Sequence, residues 1–214
     1  MLTYTDIDSS KKALVFELDD VLFPKKDYFL QVYYLFANLL EYTETVPPAA
    51  DLTAFFKTAY ENHGAVGLFE RAAETFAIDQ KYKVQFERMH LTAQLPAKLF
   101  LYQTMFNLMH EASQKGKQLL IFTAGNPTMQ LNKLRHIEWN GLDKEVKVYF
   151  EEELRSKGHE PFNYLLVENG LKKENVLYIH AGSGPTSVIS SGLDCLAAAR
   201  FLSDANHLSN VHNQ

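Results

Sequence analysis

The chain of 214 residues contains a single cysteine, Cys195, so no internal disulfide can form and the fold must rest on its core. No apolar run approaches the roughly 20 residues that a membrane-spanning helix needs. The N-terminal MLTYTDIDSSKK lacks the basic-then-apolar order of a secretory signal, and a reducing, cytoplasmic setting is the expectation. Positive charge is also scarce: 21 Lys and Arg stand against 26 Asp and Glu, for a net charge of −5. The lysine pairs at 11/12, 25/26 and 172/173 are isolated, which leaves no basic stripe for a phosphate backbone. Neither nucleic acid nor membrane is expected as a partner, and no protein partner can be named. The 8 histidines are scattered without HExxH or CxxC spacing, which argues against a zinc site. Internal repeats and low-complexity segments are missing too.

What is present is ordinary globular material. Hydrophobic residues make up 46% and charged residues 22%, values that exclude wholesale disorder. The length suits a core domain with one insertion. ALVF at 13–16 reads as a short buried strand, and Glu17, Asp19 and Asp20 follow it. In open α/β sheets, ligands bind at that carboxyl end. From Lys25 to about Leu95 no strand is legible. DYFLQVYYLFANLLEYTE places Phe29, Val32, Tyr33, Phe36, Leu39 and Leu40 at steps of three and four, an amphipathic helix that Pro47-Pro48 ends. Further helices are predicted at about Leu52 to Asn62, Gly67 to Phe76 and Gln80 to Leu91. Pro96 is read as opening another, ended by Gly116.

Strand and helix then alternate. QLLIFT is a strand and NPTMQLNKLRHI a helix, capped by Asn126 with Pro127 at its first position. VKVYF is a strand, PFNYLLVEN a helix, NVLYIH a strand, PTSVISS a helix and LDCLAAA a last strand. This order implies a Rossmann-like parallel sheet with helices on both faces, interrupted by an inserted all-helical block. The core is placed at 1–24 and 96–214, and the inserted helical cap at 25–95. The tail from Ser203 is polar and expected to fray.

ALVFELDDVL resembles the first motif of the haloacid dehalogenase (HAD) superfamily of phosphohydrolases, hhhhDxDx(T/V)L. The resemblance covers Ala13 to about Arg200 and includes the helical cap. It puts Glu17 where the family's nucleophilic Asp stands and Asp19 at the general acid/base. One extra methylene moves a carboxylate by roughly 1 to 1.5 Å, which can cost on the order of a hundredfold in rate. LLIFTAGNP matches the second motif, and implies that Thr123 with the amides of Ala124 and Gly125 holds a phosphoryl group. A hydroxyl at a strand end before a capped helix suits an anion in any case, although Thr123 and Asn126 can equally serve only that helix. Lys157 matches the third motif, with Gly158 in place of its usual Pro, and Arg155 stands close enough to take the same role.

The fourth motif supplies the family's magnesium-binding acid, and here VLYIHAGSGPTSV offers His180 and Ala181 instead. Only Glu17 and the carbonyl of Asp19 remain as ligands, whereas magnesium wants near-octahedral oxygen coordination. No metal and no other cofactor is therefore expected. His180 either faces the crevice or is a hydrogen-bonded structural residue, and Gly182-Ser183-Gly184 reads as a turn. Tyr28, Phe29, Tyr33, Tyr34 and Phe36 read as cap core, with Tyr28 and Asp27 as the exceptions that could reach a substrate. The function implied is that of a degenerate HAD-like phosphatase, inactive or weakly active, binding a small phosphorylated or anionic ligand. Two alternatives stay open: an active phosphoric-monoester hydrolase using Glu17, and a protein-interaction module with a vestigial crevice.

Overall fold

The computed structural model describes residues 1–45, 47–182 and 192–202. The helix expected over PTSVISS, the loop beyond Gly182 and the tail from Ser203 lie outside the described residues. The rest divides into two compact units: Met1–Pro24 with Leu99–Gln130 and Ile137–Gln214, and Lys25–Lys98 with Leu131–His136.

The first unit is built on a five-stranded sheet. Strands β1 (Ala13–Phe16), β3 (Gln118–Thr123), β5 (Val146–Phe150), β6 (Val176–His180) and β7 (Asp194–Ala197) run in the order β5-β3-β1-β6-β7. Every pair is parallel. Parallel ladders need crossover helices that cover both faces, so the central strands become apolar throughout. Accordingly, all four residues of β1 have 0% exposure. On one face, Val15, Leu120, Phe122 and Tyr178 pack with Leu154 of α7 (Glu151–Ser156) and Phe162, Leu165 and Leu166 of α8 (Pro161–Glu168). Helix α5 (Gln103–Gln114) buries Met105, Leu108, Met109 and Ala112.

Two elements depart from the sequence reading. Residues 96–102 do not open a helix: Leu99–Phe100 forms a two-residue strand, β2, parallel to β4 (Ile137–Glu138). The Tyr102 amide then donates to the Leu22 carbonyl at 2.8 Å, and α5 begins only at Gln103. Tertiary pairing here overrides an alternation that suits a helix equally well. The second departure is α7, which the sequence reading treated as loop. Glu151, Glu152 and Glu153 occupy its first turn, where negative charge meets the positive end of the helix dipole.

The second unit contains α1 (Lys25–Glu44), α2 (Ala49–His63), α3 (Leu68–Phe76) and α4 (Lys83–Thr92). It also takes 96–98 and 131–136, beyond the expected 25–95. Hydrogen bonds explain the addition. Asn132, on α6 (Pro127–His136), donates to the Ala93 carbonyl at 2.9 Å, and the Leu95 amide donates to His136 Nε2 at 3.1 Å. The core of this unit is aromatic. Tyr33 and Phe86 stack with centroids 5.8 Å apart, and Phe36 meets Phe86 edge-on at 4.9 Å. Lys133 is buried with Nζ 5.3 Å above the Tyr28 ring and 5.5 Å above that of Phe29, a placement that a ring quadrupole favours.

Two buried tyrosines differ in a way that can be tested. The Tyr28 hydroxyl donates to the His90 carbonyl at 2.6 Å and accepts from Asn132 at 3.0 Å. The Tyr33 hydroxyl is buried without a partner, and burial drives its phenol well above the ordinary range. Removing an unsatisfied buried hydroxyl relieves a desolvation cost, so Tyr33→Phe should raise stability by about 1 kcal/mol, while Tyr28→Phe should lower it by about as much. Urea denaturation checks both, and a destabilised Tyr33→Phe would contradict the assignment.

Candidate functional site

The site lies at the carboxyl ends of β1, β3 and β6. β1 stops at Phe16, and Glu17, Leu18, Asp19 and Asp20 follow. The turn closes on itself: the Asp20 amide donates to the Phe23 carbonyl at 3.0 Å and the Leu22 amide to the Leu18 carbonyl at 3.0 Å. Asp20 sits at φ 58, a left-handed conformation that Asp tolerates better than most residues.

Glu17 does not point freely out of the sheet. Phe16 pairs with Ile179 and Val15 with Tyr178, so alternation puts Glu17 and Tyr178 on the same face. Glu17 Oε1 accepts from the Tyr178 hydroxyl at 2.7 Å, and Oε2 accepts from the Ala181 amide at 2.8 Å. Both oxygens are held by the neighbouring strand. Tyr178 is fully buried, and burial, followed by the adjacent Glu17 charge, holds its phenol far above its ordinary value. His180 stacks on Tyr178 at 6.0 Å and accepts from the Gly182 amide through Nδ1 at 3.1 Å, which is the structural role weighed for it.

Thr123 ends β3 and is buried at 2% exposure. Its Oγ1 accepts from Gln130 Nε2 at 2.7 Å, and the same nitrogen reaches the Ala124 carbonyl at 2.8 Å and Asp19 Oδ2 at 3.4 Å. Gln130 therefore joins the first two motifs, and nothing in the sequence reading singled it out. Its place in the first turn of α6, seven residues after Thr123, was the available signal. Asn126 caps α6 through the Thr128 amide at 2.9 Å, as expected from the sequence. Gly125, at φ +93, donates its amide to Glu152 Oε1. The Ala124 amide enters no hydrogen bond among the described residues.

Lys157 lies at the C-cap of α7, with Nζ 2.6 Å from Glu153 Oε1 and its side chain 59% exposed. Arg155 takes Glu151 through Nε at 3.2 Å, so the buried Glu151 carboxylate is matched by that guanidinium. Each cation has its pKa raised by its own helical carboxylate. The structure thus brings Asp19, Thr123, Ala124 and Gly125 together through Gln130 and Glu152. Glu17 it ties to β6, and Lys157 it pairs within α7. Among the described residues, no group of three or more His, Cys, Asp or Glu could hold a metal ion.

No family sequence model matches the chain, and no curated protein matches it. Solved structures do. A Bacillus subtilis protein described as the HAD-hydrolase YfnB, crystallised with magnesium, superposes with a TM-score of 0.54 at 20% identity, over 86% of this chain and 87% of that one. A HAD phosphatase from Thermococcus onnurineus gives 0.52 at 15% identity over 94% and 90%. A Thermotoga maritima protein described as a beta-phosphoglucomutase gives 0.52 at 15% over 89% and 96%. The chain has the HAD-like fold. Within this chain, β1 is the central strand of the sheet and is followed by Glu17, with β3 and β6 on either side of it.

The Tyr178–Glu17 contact has a signature at alkaline pH. Below about pH 10, Tyr178 keeps its proton folded or unfolded, and its contribution is complete. Above that, the unfolded phenol ionises while the folded one does not, so stability should fall by up to about 1.4 kcal/mol per pH unit. Tyr178→Phe should flatten that slope, and at pH 7 it should cost about 1 to 3 kcal/mol by leaving Glu17 Oε1 without its donor. Urea midpoints between pH 7 and 11 measure both; an unchanged alkaline slope would contradict the burial of the Tyr178 phenol, and an unchanged midpoint at pH 7 its contact with Glu17.

Proposed function

We propose that this chain is a non-hydrolysing HAD-like protein that takes a small phosphorylated or anionic ligand at the β3–α6 loop. The observation that carries the first half is the state of Glu17. A nucleophile must stand in line with phosphorus with little slack, and here both oxygens are committed to the Tyr178 hydroxyl and the Ala181 amide. Freeing Glu17 for attack strands a buried phenol and a backbone amide. The extra methylene, which displaces a carboxylate from the attacking position, is the same feature that lets it reach β6.

The residues also do not fit magnesium. Position 181 supplies no side-chain oxygen, and its amide is a donor already spent on the Glu17 carboxylate. The active-hydrolase reading therefore lacks both a free nucleophile and an ion. What supports a ligand is the second motif. Thr123 is retained, the Ala124 amide is open, and α6 starts behind them with a capped N-terminus. Lys157 is exposed enough to leave Glu153, since surface ion pairs are worth only about 0 to 1 kcal/mol.

Two variants test the non-hydrolysing half with p-nitrophenyl phosphate and magnesium. Glu17→Asp and Ala181→Asp should each leave turnover near background. Combined, they supply both missing carboxylates, and groups that act as one unit are non-additive, so the double variant should exceed the product of the single effects. Wild-type turnover on the order of 1 to 1000 per second would overturn the proposal and promote Glu17 to a working residue.

A further inference from the structure

The anion cradle of the β3–α6 loop already contains an anion, and it belongs to the protein. Glu152, in the first turn of α7, seats Oε1 on the Gly125 amide. Its other oxygen, Oε2, is buried without a partner. Beside it, Gln130 is 4% exposed. Its Nε2 faces the Ala124 carbonyl at 2.8 Å. A carbonyl can only accept, which fixes the orientation of the amide and leaves Gln130 Oε1 as a second buried acceptor without a partner. The loop thus offers donors, the Ala124 and Gly125 amides, while two side chains that touch it, Glu152 and Gln130, each keep a buried acceptor without a donor among the described residues.

We infer that Glu152 is an internal competitor for the ligand of this loop, and that the ligand it excludes is a protonated phosphate group. Inorganic phosphate near neutral pH carries oxygens for the two amides and the Thr123 hydroxyl, and keeps a P–OH proton for Gln130 Oε1, which a phosphate monoester largely loses above its second pKa of about 6. Sulfate presents the same oxygens and no proton. Glu152 imitates half of this pattern: it satisfies Gly125 and leaves Gln130 unserved. Its negative charge also repels any second anion approaching Ala124. Binding requires the Glu152 side chain to swing off Gly125, and α7 carries it on a six-residue helix beside the exposed Lys157. This inference rests on reading the loop as an anion site.

The test is an amide-shift titration of the full chain, following Ala124 and Gly125, with inorganic phosphate and with sulfate at constant ionic strength and pH 7. Glu152→Ala should bind phosphate at least tenfold more tightly than wild type, and prefer phosphate to sulfate. Glu152→Gln, which keeps an acceptor for Gly125 but not the charge, should fall between them, and it carries the test if the alanine variant is poorly folded. Equal phosphate affinity in wild type and both variants would overturn the competitor role while leaving the loop an anion site. Equal binding of sulfate and phosphate in Glu152→Ala would overturn the assignment of a protonated ligand. No saturable binding in any of the three would overturn both the competitor and the anion-site reading on which it rests.

Discussion

The Glu17 carboxylate, clamped between β1 and β6, is the constraint from which the rest of this site follows. One oxygen takes the Tyr178 hydroxyl and the other the Ala181 amide, so the carboxylate is a cross-strand tie. The tie depends on three local facts. Glu reaches where Asp would fall short, the strand register sets Tyr178 on the same face, and position 181 carries no acid to repel the carboxylate. A second carboxylate there, with no cation, would force one of the two to hold a proton. Glu17 and Ala181 are thus compatible as a pair.

Charge around the crevice is settled locally in the same manner. The two cations that follow β5 are each matched by an acid one turn earlier, Glu151 with Arg155 and Glu153 with Lys157. The middle acid of the run, Glu152, turns to Gly125. A short helix of six residues therefore both neutralises the cations that the family resemblance assigns to phosphate and supplies a carboxylate to the β3–α6 loop. Helix α7 is the counterpart of the Glu17 tie on the β3 side of the crevice.

Much of the architecture was legible in the sequence because parallel strands, buried on both faces, must be apolar runs. ALVF, QLLIFT and VLYIH stand out among charged neighbours, and Asn126-Pro127 announces its helix. Other parts were not legible. Leu99–Phe100 is too short to show a period, and its strand character comes only from pairing with Ile137–Glu138. The run EEELRSKG looks like solvated loop unless its acids are read as first-turn residues. At the site, the strand ends were legible but the side-chain partners were not. Glu17, Asp19, Thr123 and Gly125 lie at strand ends as read. Tyr178 and Glu152 come from segments far from Glu17 and Gly125 in sequence, and no local pattern reveals such pairings, whereas Gln130 lies only seven residues after Thr123. Lys157, which the sequence matches to the third motif, meets a carboxylate four residues earlier on the same helix at 2.6 Å.

The most direct test of this account is hydrogen exchange at the Ala181 amide, whose partner is the Glu17 carboxylate. In the wild-type chain that amide should exchange slowly despite lying at an exposed strand end. In Glu17→Ala it should exchange at least tenfold faster, with the amides of β1 keeping their protection. Equal exchange at Ala181 in the two proteins would mean that Glu17 is not held by β6, and the central claim would fail.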